Sequence, residues 1–269
     1  MSDINFNKQE LAMVRPSLPG VCGPAVVAVL MSVAAGCGGA STAANTTAAQ
    51  PGTTDTSLPA IFALFTNGVT VTKDGDYVVI RTKDLPDHKT PYYDTANPLY
   101  TAYNGSNASF KINPNRIAEQ QLSFRIPIAP SRLSSASPTP LGPIGVAFNG
   151  VALFNQYAGP NQPLTGEIDS FDQYNGHPQQ TGQYHYHVEP VWLTSSSKGA
   201  IVGILLDGYP VYGPVENGKT LTSADLDALH GHTGATKEYP NGIYHYHTTA
   251  DAPYINGTGF AGSPGTVGK

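Results

Sequence analysis

Two short stretches carry most of the chain's chemistry. Residues 182–187 read GQYHYH and residues 242–247 read GIYHYH. On a β-strand, side chains i and i+2 share a face, about 6.6 Å apart along the chain. His185 and His187 therefore project to one side and Tyr184 and Tyr186 to the other. His245 and His247 stand in the same relation to Tyr244 and Tyr246. Each strand is expected to have a tyrosine face suited to a core, with hydroxyls at its rim, and an imidazole face. Neutral imidazole suits copper, zinc, nickel and iron, and His-x-His on a strand can supply two ligands to one ion. His177 and His232, each a few residues upstream of its strand, offer a third ligand, and His88 in LPDH is a further candidate. Uncomplexed imidazoles gathered in one place lose hydration and repel one another once protonated. Metal ligation is therefore the chemistry these residues point to.

Positioning those strands requires a repeated frame. Residues 145–154 read GVAFNGVALF and residues 203–212 read GILLDGYPVY, each a strand, an Asn-Gly or Asp-Gly turn and a second strand. DQYNGH at 172–177 matches DALHGH at 227–232, and the two tyrosine–histidine stretches complete a third match in the same order. Three collinear matches indicate a duplicated supersecondary unit, about 143–190 and about 200–250. If the copies pack about a pseudo-twofold axis, their imidazole faces are expected to meet. His185, His187, His245 and His247 would then share one ion, with His177, His232 or His88 in support. Asp172 and Asp227, each five residues before a matched histidine, could orient the imidazoles as hydrogen-bond acceptors or ligate the ion directly, and taken alone they read as helix caps or turn formers. The carboxylates of GEIDSFD, Glu167, Asp169 and Asp172, do not follow a calcium-loop spacing and read as solvated turn residues.

The rest of the chain sets the context. Of 269 residues, 52 are Gly or Pro and only 12% are charged, which describes a turn-rich chain of short strands rather than a helical bundle. The expected class is mainly β (β-rich α+β), a single domain built from two tandem pseudo-repeats. GVTVTKDGDYVVIRT around Asp74-Gly75 reads as a further hairpin, LSFRIPIAP as a strand, and Ser223–Leu229 as one short helix with Ser223 as N-cap. A net charge of −5 with 14 Lys and Arg and no basic run excludes nucleic acid as a partner. GPAVVAVLMSVAA at 23–35 has the length of a signal-peptide core and is too short to span a bilayer. Its AAGC ending resembles the bacterial lipoprotein cleavage box, with Ala34 where leucine is usual. That resemblance implies a signal peptide over 1–36 and lipidation of Cys37; an ordinary secretory signal is the alternative. Residues 37–58 read as a flexible low-complexity tether and 59–269 as the folded domain. Cys22 would leave with the signal, so the mature domain has no disulfide and relies on its core or a metal.

The chain resembles the YHYH-domain proteins. The matching features are LPDH (85–88), GVAFNGV (145–151), NGHP (175–178), GQYHYHVEP (182–190), GILLDGYPVYGP (203–214), HGHTG (230–234) and YPNGIYHYHTTADAPY (239–254). The resemblance covers about 65–262. It implies an exported protein whose functional residues lie in these motifs, and it implies no particular reaction. The reading that results is an exported, lipid-anchored protein facing the periplasm or cell exterior. It would bind one transition-metal ion, copper ahead of zinc, with the membrane met only through the anchor. Two alternatives stand beside it. One is a metal-dependent enzyme with an open coordination position and Asp172, Asp227 or Glu189 as base. The other is a glycan- or peptide-binding module whose histidines are merely hydrogen-bonded.

Overall fold

In the computed structural model, residues 53–257 and 259–269 are described; the expected signal segment, Cys37 and the tether up to residue 52 lie outside them. Among the described residues the regular structure is mostly short strands. The expected tether ends earlier than its composition implied. Thr53–Thr54 pairs in parallel with Thr70–Asp74, and Leu58 is buried in the core. The hairpin at Asp74-Gly75 joins Thr70–Asp74 to Tyr77–Thr82, and Leu122–Pro127 and Thr266–Gly268 extend the same sheet. Burial alternates along Leu122–Pro127, with Leu122, Phe124 and Ile126 inward. That is the pattern of a sheet with one face on a core. The expected helix is shorter than the pattern implied, a 3-10 turn over Ser223–Asp225. Thr222, not Ser223, precedes it as cap, because the Asp225 carboxylate accepts hydrogen bonds from both the backbone N–H and the hydroxyl of Thr222.

The duplicated units form one eight-stranded sheet. Across it the strands run Gly176–Pro178, Tyr184–Tyr186, Ala152–Phe154, Pro143–Ala147, Ile201–Leu205, Pro210–Tyr212, Ile243–His247 and Gly231–Gly234. The second half mirrors the first strand for strand, including one parallel pairing in each, Tyr184–Tyr186 on Ala152–Phe154 and Ile243–His247 on Pro210–Tyr212. The two halves join where Pro143–Ala147 meets Ile201–Leu205 antiparallel. Val146 faces its own counterpart Ile204, flanked by Gly203 opposite Ala147 and Leu205 opposite Gly145. The pseudo-twofold axis therefore passes through the middle of the sheet.

The two turns within the repeats are three-residue loops. Ala147 donates to the carbonyl of Val151 and Leu205 to that of Tyr209, while Gly150 and Gly208 take φ of +84° and +86°. Only the glycine adopts the left-handed conformation, which a residue with a Cβ disfavours. Asn149 and Asp207 stay at negative φ, and their side chains turn inward.

The central pairing is close. A Cβ added at Gly203 would lie 2.4 Å from the Val146 carbonyl oxygen and 2.7 Å from the Ala147 Cα, both backbone atoms of the neighbouring strand. Gly203→Ala is expected to destabilise the fold by about 1–3 kcal/mol through overpacking. Gly268→Ala, where a Cβ meets nothing within 4 Å, is expected to leave it unchanged. The midpoint of urea unfolding separates the two.

Candidate metal centres

The histidines form two clusters, one in each repeat. In the first, His177 on Gly176–Pro178 lies directly opposite His185 in the antiparallel register, and His187 follows just past the end of its strand. Their Nε2 atoms converge, His185 lying 3.1 Å from His177 and 2.9 Å from His187. Each Nδ1 is held from behind. His185 donates to the Gln183 carbonyl at 3.1 Å and His187 to the Asn155 carbonyl at 2.6 Å. The Ser170 hydroxyl gives its proton to the Glu167 carbonyl, so its oxygen accepts from His177 Nδ1 at 2.7 Å. Carbonyl oxygens only accept, so in the neutral rings the Nδ1 atoms carry the hydrogens and all three Nε2 atoms present lone pairs to one another. Burial, reinforced by the neighbouring His187, pushes His177 down to about 3. Burial also takes His187 to about 4 and holds His185 well below its usual value. Phe154 stacks on His185 at 4.0 Å between centroids and Phe171 packs edge-on to His177. A cation at the point of convergence satisfies all three lone pairs at once.

The second cluster repeats this plan. His232 stands opposite His245, and His247 pairs across the parallel strand with Tyr212, the counterpart of Phe154. His245 Nδ1 donates to the Ile243 carbonyl and His247 Nδ1 to the Gly213 carbonyl, the counterpart of Asn155. His232 and His247 approach Nε2 to Nε2 at 3.1 Å, and His245 Nε2 is buried without a hydrogen-bond partner. Burial lowers His245 and takes His247 to about 4. Glu216 joins this group, its carboxylate 3.3 Å from His232 Nε2 and 3.4 Å from His245 Nε2. Both sets have the donors and spacing to hold a metal ion.

Several sequence expectations need correction. His185 and His187 do not meet His245 and His247. Because the axis runs between Pro143–Ala147 and Ile201–Leu205, the two tyrosine–histidine strands lie five strand spacings apart, about 24 Å along the sheet. His88 joins neither cluster. It is buried on the tyrosine side, with Nε2 3.1 Å from the Tyr186 hydroxyl and its ring against Tyr174 and Trp192. Asp172 and Asp227 do not orient imidazoles. They accept the hydroxyls of Tyr184 at 2.7 Å and Tyr244 at 2.9 Å, and they also close turns through Gly176 N–H and Gly231 N–H. The hydroxyls of Tyr184, Tyr186 and Tyr246 are thus deep in the core, while that of Tyr244 meets the exposed Asp227 at its rim, as expected. Tyr246 likewise donates to Asp207 at 2.7 Å, and Asn149 donates to the Tyr186 oxygen at 3.2 Å. Glu189 pairs with Lys198 at 2.6 Å, away from both clusters. His230, the extra histidine, sits where the first copy has Asn175, both at positive φ, and its Nε2 contacts the Thr249 hydroxyl at 2.9 Å.

Two site residues escaped the sequence reading. Glu167 is a turn carboxylate, partly exposed, that also faces the cluster; it lies 3.5 Å from His177 Nε2 and 3.8 Å from His187 Nε2, and burial raises its carboxyl. Glu216 sits on the two-stranded ribbon Val215–Glu216 and Lys219–Thr220, just after the strand that pairs with Ile243–His247. That position, a lone acid before the Asn-Gly turn at 217–218, was the available signal.

The family model described as YHYH protein matches residues 123–220 and 215–260, together just over half of the chain. No curated protein and no solved structure matches it.

Because the folded state holds His177, His185, His187, His245 and His247 below their unfolded value near 6.5, the unfolded chain binds more protons between about pH 4 and 6.5. Stability of the metal-free protein is therefore full above pH 6.5 and falls with pH through that window. His187 alone would account for a loss of about 2 kcal/mol between pH 7 and pH 5. Urea unfolding in chelator at both pH values measures it; a midpoint that does not move would contradict the buried neutral cluster.

Proposed function

The chain belongs to the YHYH family, and we propose that it is an exported protein that binds two transition-metal ions, one in each repeat. The observation that carries this reading is the convergence of imidazole nitrogens in both copies, with an acceptor behind Nδ1 of His177, His185 and His187 in the first and of His245 and His247 in the second. The donor set, imidazole with carboxylate and no thiolate, favours copper(II) first and zinc second, copper standing highest in the divalent affinity order. Export and lipid anchoring rest on the apolar run at 23–35 and on Cys37 after AAG. An anchor of that kind would place both centres outside the cytoplasm, where metal ions arrive uncomplexed by the thiols of the cell interior. Bound ions would also stabilise a domain that has no disulfide to do so.

The duplication gives the reading a specific signature. Loaded with copper or zinc, dialysed and measured by plasma mass spectrometry, the untagged protein is expected to hold two ions per chain. His185→Ala and His245→Ala are each expected to hold one and the double variant none. A protein that takes up neither metal would leave the histidines structural. One ion per chain abolished by either single variant would restore a shared site.

A further inference from the structure

The two centres differ in their carboxylates. In the second, one Glu216 oxygen lies in the same 4.8 Å neighbourhood as the ligand nitrogens of His232, His245 and His247. An ion there, held by nitrogens at about 2.0–2.1 Å, finds a fourth donor already in place. In the first, Glu167 approaches His177 and His187 but does not complete such a group with all three imidazoles. An ion held by His177, His185 and His187 keeps an uncommitted direction, and all three rings line a cleft of about 840 Å³.

The charges around the two clefts point the same way. In the first, the Lys111 ammonium offsets the Glu167 carboxylate. The cleft beside the second has Lys237 against Glu216 and Glu238. An anion approaching the second ion meets a net negative charge that the lining of the first does not present.

Resting on the two-ion reading, we propose that the first centre takes its fourth ligand from solution, water or a small anion entering by the cleft, while Glu216 closes the second. Closed four-ligand sites hold structure, whereas three protein ligands and an exchangeable one are what Lewis-acid chemistry needs. Glu167, beside the open direction, is placed to accept a hydrogen bond from a metal-bound water. The chemistry of the chain is thereby assigned to the first repeat and metal-dependent stability to the second.

The test uses azide as the exogenous anion on the copper(II)-loaded chain, counting its charge-transfer absorption per chain against copper measured by mass spectrometry. The wild type is expected to hold two coppers and bind one azide. His185→Gln is expected to lose one copper together with the azide. Glu216→Gln, on the ribbon, is expected to keep two coppers and bind two azides. Two coppers with no azide or with two in the wild type, an azide that survives His185→Gln, or a count that stays at one in Glu216→Gln would overturn the inequality while leaving the two-ion reading intact. Fewer than two coppers in the wild type would overturn that reading itself. If His185→Gln does not fold, the wild-type and Glu216→Gln counts decide alone.

Discussion

A strand cannot place neighbouring side chains on one side, and both tyrosine–histidine strands depend on that constraint. Four residues in a row are buried in each, yet they divide into two populations with opposite needs. The tyrosines need acceptors for their hydroxyls inside an apolar core, and Asp172, Asp227 and Asp207 supply them. In the fourth case Tyr186 serves as acceptor for Asn149. The imidazoles need something to accept their Nδ1 hydrogens and something to receive their Nε2 lone pairs. Backbone carbonyls meet the first need for His185, His187, His245 and His247, and the Ser170 hydroxyl meets it for His177. The tyrosine bonds are what fix the strand against rotation, so the imidazole face is held rigid by groups that never touch it.

Burial makes the arrangement consequential. An exposed trio of histidines would protonate singly and splay apart. Here desolvation holds His177, His185 and His187 neutral, and Phe154 and Phe171 stack against two of the rings. Buried polar groups without partners are costly, and His245 Nε2 is such a group. The sheet thus stores an unmet electrostatic demand at two points, while the tyrosine hydroxyls of the same strands are satisfied nearby.

Much of this was legible from residue types and spacing. The collinear matches reported the duplication, and the alternation of tyrosine with histidine reported which residues share a face. What spacing could not report was the position of the axis. Meeting faces and separated faces are equally compatible with a twofold relation. The choice between them is made by Gly145 and Gly203, whose missing side chains let the central strands approach. The acids were misread for a related reason. Asp172 and Asp227 keep constant offsets from histidines, but an odd offset along a bending chain does not define a face. Glu167 and Glu216 come from unmatched places in the two copies, so the repeat carried no hint of them.

The pairing at the centre of the sheet is isologous: each contact that one copy makes is one it also receives, with Val146 against Ile204 as the self-facing pair. Each copy also draws its three imidazoles wholly from its own segment. A chain carrying a single copy would therefore present the same glycine-bearing edge to an identical twin, and the twin's edge would satisfy it. The covalent link between the copies does not create the sheet. It removes the concentration dependence of an association the edges already encode, and it frees the two halves to diverge where a homodimer's symmetry would have kept them alike.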